Sequence, residues 1–236
     1  MNKSAFTLAE ILITLGIIGV VSALTIPTLV KRNTNTTHVE QLKKVYATLS
    51  EAAETAMQEN NVSDLHDTVL GVPDGASAAV NKAAIKNFLN TYFKVAIDCD
   101  TKPVPCFADS YKGLDGSSNL DTTNMNLSYG NCVSLADGAA ICIPYGGMRS
   151  RLERFGESDS PYHPEVSVWV DVNGPKGPNI MGRDFFVFNL YSDGKIGESY
   201  TLEPDKAEND FENNCQQGSY GGCFSKIIMD GWTMDY

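Results

Sequence analysis

The chain has 236 residues, 18 bases against 29 acids, a formal net charge of −11 and 42% hydrophobic residues. That length suits one domain with an anchor, or at most two small domains, and the apolar content is enough to bury a core. The acidity argues against a nucleic-acid partner and against a basic face for anionic lipid, and reads as a solvated surface.

The sequence opens MNKSA and then runs FTLAEILITLGIIGVVSALTIPTLV, where Glu10 is the only charged residue from Phe6 to Val30. Such a run is long enough to cross a bilayer as a helix, which takes roughly 20 residues. A core helix would not stay apolar on every face for that length. A secretory signal peptide is the rival, with Val21-Ser22-Ala23 as a small-residue cleavage site. Against it stand the short leader, the acid within the run and the apolar residues beyond Ala23. Lys3 before the run and Lys31-Arg32 after it leave the orientation open under the positive-inside rule. Pro27 has no N–H to bond back to Ala23, so it marks a kink or a place where the helix loosens.

Beyond Arg32 a helical period continues. Val39, Leu42, Tyr46, Leu49, Ala53 and Ala56 recur at steps of three and four, and Glu40 stands four residues before Lys44. One helix from Phe6 to about residue 60 would be on the order of 80 Å long. Residues 60–75 read as a connection with VPDG as a turn, and 78–95 as a second helix with Val80, Ala84, Phe88 and Tyr92 on one stripe. Residues 98–126 are rich in Asp, Ser, Asn, Gly and Pro and read as loops. CVSLADGAAICI predicts a hairpin around Ala136-Asp137-Gly138. VSVWVDV and DFFVFNLY predict strands, the second closed by Ser192-Asp193-Gly194-Lys195 before a short further strand. From Glu203 the chain reads as acidic loops. The fold class is therefore α+β: a long N-terminal spine helix packed on a small antiparallel sheet head, with a second helix and disulfide-bonded loops. Its parts are a short polar start at 1–5, a transmembrane helix at 6–30, the amphipathic half of the spine at 31–60 and a globular head at 61–236.

All six cysteines, Cys99, Cys106, Cys132, Cys142, Cys215 and Cys223, follow the apolar run. An even count on one side of a membrane segment points to an oxidising compartment. The sequence-local set, Cys99–Cys106, Cys132–Cys142 and Cys215–Cys223, is the favoured one of fifteen pairings. A three-residue hairpin loop with Gly138 in the left-handed position sets Leu135 against Ala139 and Cys132 against Cys142. Free buried thiols are the alternative. The three histidines are scattered and no CxxC pair exists, which speaks against zinc. DVNGPKGPNIMGRD puts Asp171, Asn173, Asn179 and Asp184 on one oxygen-rich loop, which reads either as a calcium site or as a Gly/Pro turn held by Asx-type bonds. No GxSxG, HExxH, phosphate loop or dinucleotide fingerprint occurs, so the chain reads as a non-enzyme.

Ala5-Phe6-Thr7-Leu8-Ala9-Glu10, with the apolar stretch after it, resembles the prepilin processing motif of type IV pilins and type II secretion pseudopilins. The resemblance covers the first 25 to 30 residues. It implies removal of Met1–Ala5 by a prepilin peptidase, with the cut between Ala5 and Phe6, and N-methylation of Phe6. The residue before the cut is usually Gly in that family and is Ala5 here. Glu10 matches the family's acid, and Pro27 a proline common in its membrane helix. The implied function is a structural subunit of a pilus-like filament or secretion pseudopilus, with Glu10 meeting the Phe6 amine of a neighbouring subunit. The implied partners are the peptidase, other copies or related pilin subunits, an inner-membrane assembly platform and the membrane itself. The implied location is the inner membrane, single-pass with the head exported, and then a filament in the periplasm or at the cell surface. Major pseudopilins hold calcium on a loop of the sheet region, but their ligand pattern does not match Asp171, Asn173, Asn179 and Asp184 residue by residue. The competing reading is a membrane-anchored periplasmic enzyme or binding module whose N terminus is an unprocessed anchor or ordinary signal peptide.

Overall fold

The computed structural model describes residues 7–73, 75–117, 119–145 and 163–236. Ala5 and Phe6 lie outside the described residues. Helix α1 (Leu8–Asn60) is one unbroken helix of 53 residues that runs through Pro27. Thr7 caps its start and Asn61, in the left-handed region at φ 51°, ends it by donating its N–H to the Met57 and Gln58 carbonyls. At 1.5 Å per residue it is about 80 Å long.

The second half of α1 buries Asn35, His38, Val39, Leu42, Val45, Leu49, Ala52, Ala53 and Ala56. Tyr46 is only partly buried, set edge-on to Trp232 with ring centroids 5.3 Å apart. The expected Glu40–Lys44 pair is replaced. Glu40 meets Lys43 at 2.9 Å, while Lys44 reaches off the helix to Asp137 at 2.8 Å.

A 3₁₀ turn (Leu65–Asp67) leads to helix α2 (Ala78–Tyr92), which starts at Ser77 and buries Asn81, Ile85, Phe88 and Leu89. The expected stripe is off by one position: Val80 is 48% exposed. Turning Ile85 and Leu89 inward with Phe88 buries more apolar volume than Val80 and Ala84 would, and it leaves the Tyr92 hydroxyl free to donate to Glu59 Oε2 at 2.7 Å.

Strand β1 (Val95–Asp100) follows: it takes Val95 from the expected helix and replaces expected loop from Asp98 on. Lys82 holds Asp100 at 2.5 Å and Lys86 holds Asp98 at 2.7 Å, tying α2 to this strand. A short hairpin of β2 (Ser110–Lys112) and β3 (Asn119–Asp121) also replaces expected loop. The other strands are β4 (Asn131–Leu135), β5 (Ala140–Ile143), β6 (Pro164–Asp171), β7 (Phe185–Tyr191) and β8 (Ile196–Gly197). The main sheet has six antiparallel strands in the order β1-β4-β5-β6-β7-β8.

The two faces of the sheet follow the period of two. Val133, Ile141, Val168, Val170, Phe186 and Phe188 face a core shared with α1 and α2. Cys132, Ala140, Cys142, Trp169, Phe185 and Val187 face a second cluster, closed over by Cys106, Phe107, Ala108 and Tyr111. Strand β1 therefore carries the chain from one face to the other. Its irregular pairing with β4, shifted twice in register, is where a loop-like composition became a strand.

After Glu203 the chain is helical, where loops were expected. Helix α3 (Pro204–Asp210) leads into a π turn (Phe211–Cys215), and α4 (Cys223–Met229) follows. Ala207, Phe211, Cys215, Cys223, Phe224 and Ile227 are buried against the sheet core, and that packing supplies what the polar composition hid. The disulfides are Cys99–Cys106, Cys132–Cys142 and Cys215–Cys223, with Cα separations of 6.1, 4.1 and 5.3 Å. Cys132 pairs with Cys142 across β4 and β5, and Leu135 donates to the Ala139 carbonyl at 2.8 Å around Gly138 at φ 96°.

Candidate functional site

The first half of α1 touches nothing. From Thr7 to Val30 every residue except the half-buried Ser22 is exposed, and this stretch is long and apolar enough to cross a membrane. Three of its threonine hydroxyls are satisfied within the helix. Thr14 donates to the Ile11 carbonyl at 2.9 Å, Thr25 to Val21 at 2.9 Å and Thr28 to Leu24 at 3.5 Å. A helix that returns its hydroxyl protons to its own carbonyls exposes little that water must solvate. The two cations Lys31 and Arg32 stand exposed where the bare half ends, and burial begins at Asn35.

Glu10 has a local role. Its Oε2 accepts the Thr7 N–H and the Thr7 hydroxyl, each at 2.8 Å, and its own N–H donates to Thr7 Oγ1 at 3.2 Å. This reciprocal pair is a capping box, which fills two of the donors that a helix start leaves open.

The structure brings Asp171, Asn173, Asn179 and Asp184 onto one loop between β6 and β7. Tyr111 donates its hydroxyl to Asp171 Oδ2, and the Asn173 N–H donates to Asp171 Oδ1 at 3.1 Å. The N–H groups of Asn179 and Ile180 donate to the two Asp184 oxygens, each at 2.6 Å. Both acids are completely buried. Burial, and then the Asp184 charge, push the Asp171 carboxyl up to about 8, while burial pushes Asp184 up to about 6. Both carboxylates are thus already bonded within the fold. Only the amide oxygens of Asn173 and Asn179 lack partners. Among the described residues no group of three or more His, Cys, Asp or Glu is placed to hold a metal. The acids are taken up by Tyr111 and backbone N–H groups in an Asx-type turn, and the open acceptors of the loop are the two amide oxygens. Full burial also keeps these two acids from any substrate.

A cleft of about 790 Å³ runs between α1, the end of α2 and the β4–β5 turn. Lys44, Glu51, Glu59, Tyr92, Lys94 and Asp137 line it. Glu59 and Asp137 are engaged by Tyr92 and Lys44, and the Tyr92 phenol is pushed up to about 12 by burial and then by Glu59. Compared with family models, curated proteins and solved structures, the chain matches none.

Sequence reasoning missed a polar junction where the bare half of α1 meets the head. Asn35 donates to the Met234 carbonyl at 2.9 Å and accepts from Arg183 Nη1 at 3.1 Å. His38, one turn on, is 5% exposed, and its Nδ1 has no hydrogen-bond partner. The available signal was their spacing: Asn35 and His38 precede Leu42 and Val45 on the same stripe. Glu198 was also missed. Its half-buried carboxylate accepts the Gly222 and Ser225 N–H groups at 2.9 and 2.8 Å and so anchors the start of α4.

Proposed function

We propose that the chain is a structural subunit of a pilin-like filament, a type IV pilus or a secretion pseudopilus, anchored and assembled through the first half of α1. One observation carries the reading. A single helix is bare and apolar for its first half and buried in a disulfide-bonded head for its second. The bare half can lie in a bilayer before assembly and against the same half of other subunits afterwards, since both surroundings are apolar. The prepilin-like residues Phe6 to Glu10 support the same reading. Cleavage at Phe6 creates an amine one helical turn from Glu10. A carboxylate that is buried among helices gains by meeting the amine of a neighbour at one axial step and by no other register. Prepilin peptidase, an inner-membrane platform and other copies or related subunits are then its partners. The three disulfides support a head exported to an oxidising compartment.

A strain lacking the chain, imaged for filaments and complemented with it, tests this. Loss and recovery of a filament that contains the chain is the expected result. Filaments unchanged without it, together with an unprocessed or Ala23-cleaved chain in the membrane, would favour an anchored binding module built around the cleft between α1 and α2.

A further inference from the structure

Asn35 is the first buried residue of α1 after the bare half. Its side chain donates to the Met234 carbonyl at 2.9 Å and to the Tyr236 main-chain oxygen at 3.5 Å, and it accepts from Arg183 Nη1 at 3.1 Å. Tyr236 closes the group: its hydroxyl donates to the Gly182 carbonyl at 2.8 Å, its ring lies 5.8 Å from the Arg183 guanidinium, and Phe211 packs on that ring at 4.8 Å. These bonds fix the base of the head to one level of the helix. Ile11–Val30, between Glu10 and Lys31, are 20 uncharged residues. At 1.5 Å each they span about 30 Å, the thickness of the hydrocarbon core of a bilayer. Asn35 comes five residues after Val30, about 7.5 Å further along the axis. The headgroup layer is itself roughly 5–7 Å deep on each side. With the bare half in a bilayer, the head begins at the outer limit of the headgroups, and helix tilt brings one side of it deeper.

We propose that this base is a docking surface for phospholipid headgroups, where Arg183, Arg32 and Lys31 take the lipid phosphates. Arg32 and Lys31 stand three and four residues before Asn35, so they continue its face of the helix toward the bilayer. Both are exposed. Arg183 is half-buried, and among the described residues its guanidinium makes one hydrogen bond, through Nη1 to Asn35. The remaining N–H groups of that planar fork suit phosphate oxygens. A guanidinium already held by Asn35 and set beside the Tyr236 ring loses little freedom when it binds. Tyrosine and arginine together also suit the membrane–water boundary, where one side is apolar and the other wet. The exposed acids Asp235 and Glu212 lie near the same end, Glu212 next to the Phe211 that packs on Tyr236. Charges of both signs therefore meet there. The seat is local and takes the phosphates of zwitterionic lipid, and it gives this acidic chain no general attraction to anionic lipid. The inference rests on the reading of the bare half as a membrane span, and it adds a contact for the head that a span alone does not supply.

Spin-label depth measurements on the full chain in phosphatidylcholine nanodiscs test it. The native cysteines are all in disulfides, so an introduced thiol takes the label. Leu24→Cys reports the span, Asp235→Cys the base, and Glu54→Cys, about 28 Å beyond Asn35 along α1, the bulk water. Access of an aqueous nickel complex to each nitroxide gives its depth. Position 24 should be protected, position 54 open, and position 235 several-fold less accessible than 54. In nanodiscs of a phosphate-free galactolipid, position 235 should become as open as 54 while 24 stays protected. A label at 235 that is as accessible as 54 in phosphatidylcholine, with 24 protected, overturns the docking and leaves the span intact. Equal protection of 235 in both lipids overturns the role of the phosphates. An open position 24 overturns the span reading itself, and the docking with it. If Asp235→Cys fails to fold, the unsubstituted chain decides: a gadolinium-chelating lipid should broaden the amide signals of 182–183 and 234–236 and spare Asn61. Unbroadened signals at both segments overturn the docking.

Discussion

Thr7 and Glu10 close a reciprocal pair at the start of α1, backbone N–H to carboxylate at 2.8 Å and backbone N–H to hydroxyl at 3.2 Å. The pair gives Glu10 a reason to exist within one chain. It also separates two roles that a deletion would confuse. A capping box accepts Gln as well as Glu, whereas pairing with the amine of a neighbour needs the charge. Glu10→Gln should therefore insert, start its helix normally and be processed, yet give little or no filament. Glu10→Ala should lose both roles, and Glu10→Asp should be milder than Ala because it keeps the charge at a shorter reach. Sheared filament compared with the membrane pool, in a strain lacking the native chain, reads this out. Wild-type filament yield from Glu10→Gln would reduce Glu10 to a helix cap.

Processing is a separate expectation. Intact-mass measurement of the membrane form should show Met1–Ala5 removed and one methyl group on Phe6. A mass that retains the leader would show that Ala5 does not replace the usual Gly before the cut.

The pair Asp171 and Asp184 makes stability depend on pH. A carboxyl pushed up to about 8 when folded, against 3.8 in its ordinary state, binds its proton more tightly in the native chain. Stability from this group is therefore present at acid pH and falls as pH rises from about 4 to about 8. The loss for so buried a group is on the order of 2–4 kcal/mol, or several degrees in Tm for a head of this size. Asp171→Asn, a neutral mimic of the protonated acid, should remove most of the fall in thermal scans between pH 5 and 8. Calcium at millimolar concentration should leave the wild-type Tm unchanged. A calcium-dependent rise at pH 8 that Asp171→Asn abolishes would make the loop a metal site after all.

Gly182 stands between two elements that leave no room for a side chain. It has φ 83°, and an added Cβ would lie 2.7 Å from Cys223 Sγ and 3.0 Å from Cys215 Sγ. Gly182→Ala should cost more than the roughly 1–2 kcal/mol of left-handed backbone strain alone. Thermal unfolding should fall by several degrees, and thiol labelling should detect incomplete closure of Cys215–Cys223. An unchanged Tm with no labelled thiol would contradict the packing described.

Elements whose pattern is local could be read directly from the residues. The apolar run and the steps of three and four through Leu42, Leu49 and Ala56 define α1, and the spacing around Gly138 sets Cys132 against Cys142, because each depends only on neighbours along the chain. Composition misled where long-range packing decides. Polar residues at 98–121 and after Glu203 became strands and helices because partners elsewhere in the chain cover them: β4 pairs with β1, and the sheet core takes Phe211 and Phe224. The face of α2 shifted because Ile85 and Leu89 had a core to enter and Val80 did not. The four-residue oxygen-rich loop is legible as a group, but only the fold supplied Tyr111 and the backbone N–H groups that satisfy its acids. His38 is the clearest case. Its position on α1 follows from helical spacing, whereas its burial and its unpartnered nitrogen depend on the head that packs over it. A sequence determines what its neighbours along the chain can satisfy, and only the tertiary structure decides which polar groups are enclosed and what they meet there.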